Sequence, residues 1–341
     1  MKKFLSGILL SLVFSCNGQE PQPSSPGPVT DSDYESIGIV GDKRDVKVPT
    51  EFGVALVGGS TDVDEALQWM ISKAPGGDVV IIRASGSTGY NEYIYGLGNV
   101  NSVETLMINS RSKAMSQKVA ERIKEAEMLF IAGGDQANYV NFWKDTPVSD
   151  AIQYLIDVKR IPIGGTSAGC AVLSDIIFDA LHDTVISGEA LNNPYDEKVS
   201  LSKSFMRVPF LENTISDQHY AHREREGRHV VFMARLMKDF GVHQPKGIGV
   251  DEKTAVCVDH EGNALVYGTN KAYFIIGNTP PETCVPNTPL TWDQGDKALS
   301  VYIFQGTSTG TPAFNLKLWP TGTSSETWFI EQALLKRVVN R

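Results

Sequence analysis

Basic surplus, cysteine and long apolar runs are all scarce in this chain of 341 residues. The formal net charge is -9, so the broad cationic face that a nucleic-acid partner demands is missing. A negative field remains compatible with a cationic substrate, which it attracts. The longest apolar run near the start, Phe4 to Phe14, is too short to cross a bilayer, which takes about 20 residues. Cysteine occurs 4 times, and setting Cys16 aside leaves Cys170, Cys257 and Cys284, an odd set that cannot pair fully. None of these has zinc-ligand spacing. Cys170 and Cys257 stand in apolar runs and are expected as buried small hydrophobes, while pairing of Cys257 with Cys284 stays open. Gly58-Gly59-Ser60-Thr61-Asp62 lacks the Gly-x-Gly-x-x-Gly spacing of a dinucleotide site. No metal or cofactor is called for.

What is present begins with a targeting pattern. Lys2 and Lys3 precede the apolar run, and Val13-Phe14-Ser15-Cys16 ends it. A small residue followed by Cys resembles a bacterial lipobox, with Cys16 as the lipidated residue. The alternative is an ordinary signal peptide that contains a cysteine. Residues 1–16 are thus read as a lipoprotein signal, which implies export and a membrane anchor. Residues 17–45 are read as a flexible tether, because Gly18 to Pro28 is rich in Pro, Ser, Gln and Gly with little to bury.

From about Phe52 short apolar runs alternate with helical spacing. Strands are expected at Val54 to Gly58, Asp78 to Ala84, Thr105 to Ile108, Met128 to Ala132 and Ile161 to Gly164. Helices are expected at Asp62 to Lys73, Gln117 to Ala126 and Val148 to Lys159. The strand runs show little period-two alternation, as strands buried on both faces should. The fold class is therefore α/β, three layers, with a mostly parallel central sheet and helices on both faces. Residues 46–280 form this domain. Residues 281–341 carry Pro, Thr and Gly with short β-like pieces, read as a small β-rich C-terminal extension or as strands closing the edge of the main sheet.

Two strand ends are rich in glycine. Gly165-Thr166-Ser167-Ala168-Gly169 has the form Gly-x-Ser-x-Gly between an apolar strand and a helix-like run from Cys170 to Phe178. That context suits a nucleophile elbow, whose tight turn needs small neighbours and lifts the serine hydroxyl above the sheet. A purely structural turn is the competing reading. Gly133-Gly134-Asp135-Gln136 ends the preceding strand, so the N–H groups of Gly134 and Ala168 are candidates for an oxyanion hole. A serine nucleophile needs a base. His219 follows a strand-like run and is favoured among the 6 histidines, with His222 close behind. Glu189 ends the apolar run from Val185 and lies between Ser167 and His219 in the chain, which suits a Ser…acid…His order. Asp175, Asp179, Asp183 and Asp196 compete for the same role.

Together, Gly-Gly-Asp-Gln at 133–136, Gly-Thr-Ser-Ala-Gly at 165–169 and Asp-Gln-His-Tyr-x-x-Arg-x-Arg-x-Gly-Arg at 217–228 resemble the cyanophycinase family of serine peptidases. Gly-Gly-Ser-Thr-Asp at 58–62 fits as well, and the similarity runs from about residue 50 to 280. The resemblance implies a fold like the class I glutamine amidotransferases and a Ser-Glu-His triad of Ser167, Glu189 and His219. It implies a substrate pocket of Gln136, Asp217, Gln218, Arg223, Arg225 and Arg228. A polar insert from Leu191 to Ser204 separates Glu189 from His219. Arginine suits the free carboxylate of a side-chain-linked aspartyl unit, because a guanidinium grips a carboxylate with two parallel hydrogen bonds. A solvated, salt-bridged helix face is the other reading of Arg223 and Arg225.

The implied activity is hydrolysis of β-linked aspartyl-arginine or related isoaspartyl peptides through an acyl-enzyme. An aspartyl dipeptidase of the same fold, acting on short exogenous peptides, is one alternative. A non-catalytic peptide-binding lipoprotein is another. The partners expected are a peptide substrate and, through the anchor, a membrane; nucleic acid is not expected, and the oligomeric state is open, a homodimer included.

Overall fold

A computed structural model describes residues 36–340. The signal segment, Cys16 and most of the expected tether lie outside the described residues. Among those described, no helix is long and apolar enough to cross a membrane.

The first six strands are β1 (Ser36–Gly41), β2 (Gly53–Val57), β3 (Asp78–Arg83), β4 (Ser102–Met107), β5 (Met128–Ile131) and β6 (Pro162–Thr166). Then come β7 (Ile176–Phe178), β8 (Leu201–Lys203), β9 (Thr214–Gln218), β10 (Lys246–Val250), β11 (Thr254–Asp259) and β12 (Asn263–Gly268). The last five are β13 (Lys271–Gly277), β14 (Leu299–Gln305), β15 (Thr311–Asn315), β16 (Glu326–Glu331) and β17 (Leu334–Val339).

One sheet has 9 strands in the order β1-β4-β3-β5-β6-β2-β11-β12-β15. Its centre, from β4 to β2, is parallel. Its flanks, β1 on one side and β11, β12 and β15 on the other, are antiparallel. The central runs lack alternation because both faces are covered. In β2, Val54 and Leu56 join the core that holds helix Gln117–Glu125, whereas Ala55 and Val57 join the core that holds helix Asp64–Ser72. Such strands gain burial from every residue, roughly 25 cal/mol per Å² of apolar surface removed from water.

A second sheet of 6 strands, β17-β16-β14-β13-β10-β9, packs across the first. Ile248, Val250 and Phe274 face the core shared with the first sheet. Ile215, Tyr273 and Ile275 face helix Glu226–Phe240, which covers the outer side. The C-terminal strands are divided between the sheets: β15 lines the edge of the first, while β14, β16 and β17 extend the second.

Three local expectations need correction. The tether expected over 17–45 is interrupted by β1, whose Gly38 to Gly41 pair along β4, with Ile37 at a register shift. The helix expected from Cys170 to Phe178 is a single turn, Ala168–Ala171, followed by β7, whose Ile176 and Phe178 pack with helix Glu226–Phe240. Glu189 ends no strand; it sits in helix Ser187–Asn192. All three described cysteines are free and buried.

Candidate active site

Parallel strands end at a common edge, and the site forms there. β2 ends at Gly58-Gly59, β5 at Gly133-Gly134 and β6 at Ser167. β9 and β10 are also parallel and end at His219 and Asp251-Glu252. Backbone hydrogen bonds join these ends: Ser167 N donates to Val57 O at 3.0 Å, His219 N to Gly58 O at 2.8 Å and Lys253 N to Gly59 O at 3.1 Å. Two sheets thus deliver their strand ends to one place.

Ser167 has φ 53° and ψ -116°, outside the regions that L-residues favour. Such strain persists only where the surroundings enforce it. A side chain at Gly165 would meet the Gly169 carbonyl carbon at 2.5 Å, and one at Gly169 would meet Ile131 O at 2.1 Å. The turn therefore closes only with glycine at both places, which explains the Gly-x-Ser-x-Gly spacing.

Ser167 Oγ lies 2.8 Å from His219 Nε2. His219 Nδ1 lies 2.7 Å from Glu252 Oε1. A carboxylate only accepts, so Nδ1 carries the proton and Nε2 is free to accept from the serine hydroxyl. Burial is the largest influence on His219 and holds its pKa below the ordinary 6.5, with Arg223 and Arg225 acting in the same direction and the Glu252 hydrogen bond opposing them. The imidazole is therefore neutral near pH 7, as a general base must be. Glu252 is held below the usual carboxylate range, chiefly by its hydrogen bond to His219.

Glu189 does not orient the histidine. Its Oε1 pairs with Lys198 Nζ at 3.0 Å and its Oε2 accepts from Ile186 N at 3.4 Å, on the half-exposed side of a short helix whose Ala190 and Leu191 are buried. Glu252 takes that place, and the chain order is Ser…His…acid. The missed signal is a repeat of one pattern. Ile215 to Gln218 ends in His219 much as Gly247 to Val250 ends in Asp251 and Glu252. Asp251 secures the junction by accepting from Ala221 N at 2.8 Å and Lys271 N at 3.3 Å.

Gly134 and Ala168, the two expected oxyanion-hole residues, both lie at this end of the sheet. Ala168 opens its helical turn, where an N–H has no intrahelical acceptor. Gly134 lines the same cavity as Ser167. An N–H at the start of a helical turn beside a serine suits the charge that develops on a carbonyl oxygen under attack.

The cavity beside Ser167 is lined by Gln136, Gln218, Arg223, Arg225 and Arg228, together with Asp183 and Thr184, whose hydroxyl lies 3.4 Å from Arg228 Nη1. Its arginines differ in commitment. Arg228, 2% exposed, is spent on the protein: it grips Asp217 through Nε at 2.7 Å and Nη2 at 2.6 Å, and donates to Val185 O at 3.1 Å. Asp217 is therefore turned to the protein interior rather than to the cavity. It is 2% exposed, does not line the cavity, and its carboxylate is needed to balance buried guanidinium charge. Arg225 donates to Gln218 O at 2.7 Å and reaches Asp217 only at 3.4 Å, and burial draws its pKa down to about 10. Arg223 is exposed, with no side-chain partner among the described residues. Arg223 and Arg225 are thus the cations with donors to spare. Gln136 begins helix Gln136–Trp143 and donates weakly to Phe178 O at 3.4 Å.

Residues 61–266, more than half of the chain, match the model of peptidase family S51. The match contains Ser167, His219, Glu252 and the arginine cavity. A cyanophycinase from Trichormus variabilis is 28% identical over 194 residues, 55% of this chain and 59% of that protein. One from Synechococcus elongatus is 27% identical over 180 residues, 52% of this chain and 50% of its own length. The chain thus spans between half and three fifths of these relatives. Among solved structures, a peptidase from an acI-B1 actinobacterium superposes with a TM-score of 0.47 at 18% identity, over 66% of this chain and 91% of that one. With its family model matched across the site just described, the chain belongs to peptidase family S51.

Proposed function

We propose that the protein is a serine peptidase that forms an acyl-enzyme on Ser167. The observation that carries this reading is the unbroken hydrogen-bond chain from Ser167 through His219 to Glu252 beside an arginine-lined cavity. His219 Nε2 takes the hydroxyl proton as Oγ attacks the scissile carbonyl. Glu252 holds the tautomer and stabilises the imidazolium that forms. The N–H groups of Gly134 and Ala168 hold the oxyanion. His219 then protonates the leaving amine, and water releases the acyl group by the reverse sequence.

The substrate is an aspartyl unit with a free carboxylate, which Arg223 and Arg225 receive. β-Linked aspartyl-arginine and related isoaspartyl peptides fit that description, and the cyanophycinase relatives support it. Export as a lipoprotein anchored through Cys16 is part of the proposal, supported by Lys2, Lys3 and the apolar run before that cysteine. Such a site meets short peptides outside the cytoplasm.

The test is product analysis with the purified chain on cyanophycin, β-aspartyl-arginine and matched α- and β-aspartyl peptides. Turnover of β-linked substrates is expected, with loss on the order of 10⁶-fold in Ser167→Ala. Cleavage of α-linked peptides alone would overturn the linkage specificity, and undiminished activity in Ser167→Ala would overturn the nucleophile.

A further inference from the structure

Residues 267–341 lie beyond the family match, yet their last strand reaches the arginine turn. Arg337 of β17 donates from Nη2 to Glu226 Oε1 at 3.1 Å. Its guanidinium also lies 4.8 Å over the ring of buried Trp328 in β16. Glu226 is 8% exposed, directly follows Arg225, and opens the helix that carries Arg228.

The contact continues inward. Trp328 and Tyr273 have ring centroids 6.2 Å apart, and Tyr273 and Tyr220 have theirs 5.1 Å apart. Tyr220 is the neighbour of His219, and its carbonyl accepts from Arg225 N at 3.0 Å. Both charges of the pair act on Tyr220: after burial, which dominates, Glu226 pushes its pKa up and Arg337 pulls it down.

We propose that Arg337 is a positioning residue for the substrate cavity, neutralising and pinning Glu226 so that Arg223 and Arg225 stay available to a substrate carboxylate. This rests on the proposed acidic-peptide function. A mostly buried carboxylate that loses its partner seeks another cation or moves toward water. The nearest cations in sequence are Arg225, Arg228 and Arg223, and Arg228 is already held by Asp217, which leaves Arg225 and Arg223. A Glu226 carboxylate drawn to them competes with substrate, and one that moves to water pulls the start of the helix with it. Either change weakens binding of an anionic substrate. Neither touches the Ser167–His219–Glu252 chain.

The experiment is steady-state kinetics on the best aspartyl peptide, with labelling of Ser167 by a fluorophosphonate probe as a parallel readout. Arg337→Ala is expected to raise KM roughly three- to tenfold, with kcat and the labelling rate unchanged. Arg337→Gln, which keeps the stem over Trp328, gives the same reading if the alanine variant folds poorly. The decisive variant is the double substitution of Arg337→Ala with Glu226→Gln. Removing the stranded charge is expected to return KM to within about twofold of the starting protein, which a merely structural prop would not do. An unchanged KM in the single variants, or a double variant no better than Arg337→Ala, overturns the inference while the peptidase reading stands. Absent turnover and absent labelling in the unsubstituted protein overturn the peptidase reading, and the inference with it.

Discussion

His219 and Glu252 meet at 2.7 Å across a sequence separation of 33 residues. Each stands just past the end of its own strand, and β9 and β10 run parallel in register, with Gln218 opposite Val250. The sheet therefore sets this contact. His219 itself has φ 49°, so the chain turns sharply as it leaves β9 and aims the ring back at both partners. Ser167 and His219 are two left-handed residues facing each other, a concentration of strain that structure tolerates where function demands it.

That geometry separates two glutamates. Glu252→Gln should lower kcat by about 10³- to 10⁴-fold with little change in KM, because the imidazole loses the partner that fixes its tautomer. Glu189→Ala should leave kcat within about twofold, since an exposed ion pair contributes little. Steady-state rates on one peptide decide the matter, and a large loss in the Glu189 variant would reverse the assignment.

The sequence carries the local parts of this site and loses the tertiary ones. The runs at Val54 to Val57 and Met128 to Ile131 announce buried strands because every residue in them is apolar. The serine turn is legible because Gly165 and Gly169 have no steric substitute there. Glu252 is not legible in the same way. An acid that follows Val250 looks like any polar strand end until β9 and β10 are known to be neighbours. A chain order of Ser…acid…His directs attention upstream, to Glu189. Asp217 misleads for a related reason: in the sequence it sits beside the histidine like a ligand contact, and only the fold shows Arg228, 11 residues on, closing over it.

The pH profile follows from the neighbours of His219. Burial, Arg223 and Arg225 all disfavour the imidazolium and hold the pKa below 6.5. A base works in its neutral form, so kcat/KM should be flat near pH 7 and fall only on an acid limb below that value. Glu252 favours the imidazolium, so Glu252→Gln should move the limb to still lower pH even as the rate falls. Rates measured from about pH 4.5 to 9 would show both effects. A limb above pH 7, or one that rises in the variant, would contradict the assignment.

The arginines should divide by function. Arg228→Ala leaves the Asp217 carboxylate in the interior with a 3.4 Å contact to Arg225 as its one remaining cation and the Gln218 N–H at 3.0 Å, and should cost about 3–5 kcal/mol of stability. Arg223→Ala removes an exposed side chain and should change stability by less than about 0.5 kcal/mol, while raising KM for an acidic peptide. Urea unfolding and KM together test the division. Equal effects of the two variants on unfolding would count against it.

Gly59 tests the packing of the catalytic pair itself. It has φ +99°, and a Cβ there would lie 2.6 Å from His219 Cε1 and Nε2 and 3.2 Å from Ser167 Cβ. The imidazole cannot yield freely, because Glu252 holds one nitrogen and its own backbone N–H is tied to Gly58 O. Gly59→Ala should therefore push Nε2 away from the serine. A displacement near 1 Å costs on the order of 10²-fold in kcat. The loss of stability should be smaller in kind, about 1–2 kcal/mol from forcing a Cβ into a left-handed conformation. Labelling of Ser167 by a fluorophosphonate should slow in step with kcat, since both need the base within reach. If Gly59→Ala unfolds at nearly the original urea concentration yet turns over peptide at the full rate, the imidazole has room that this geometry denies it.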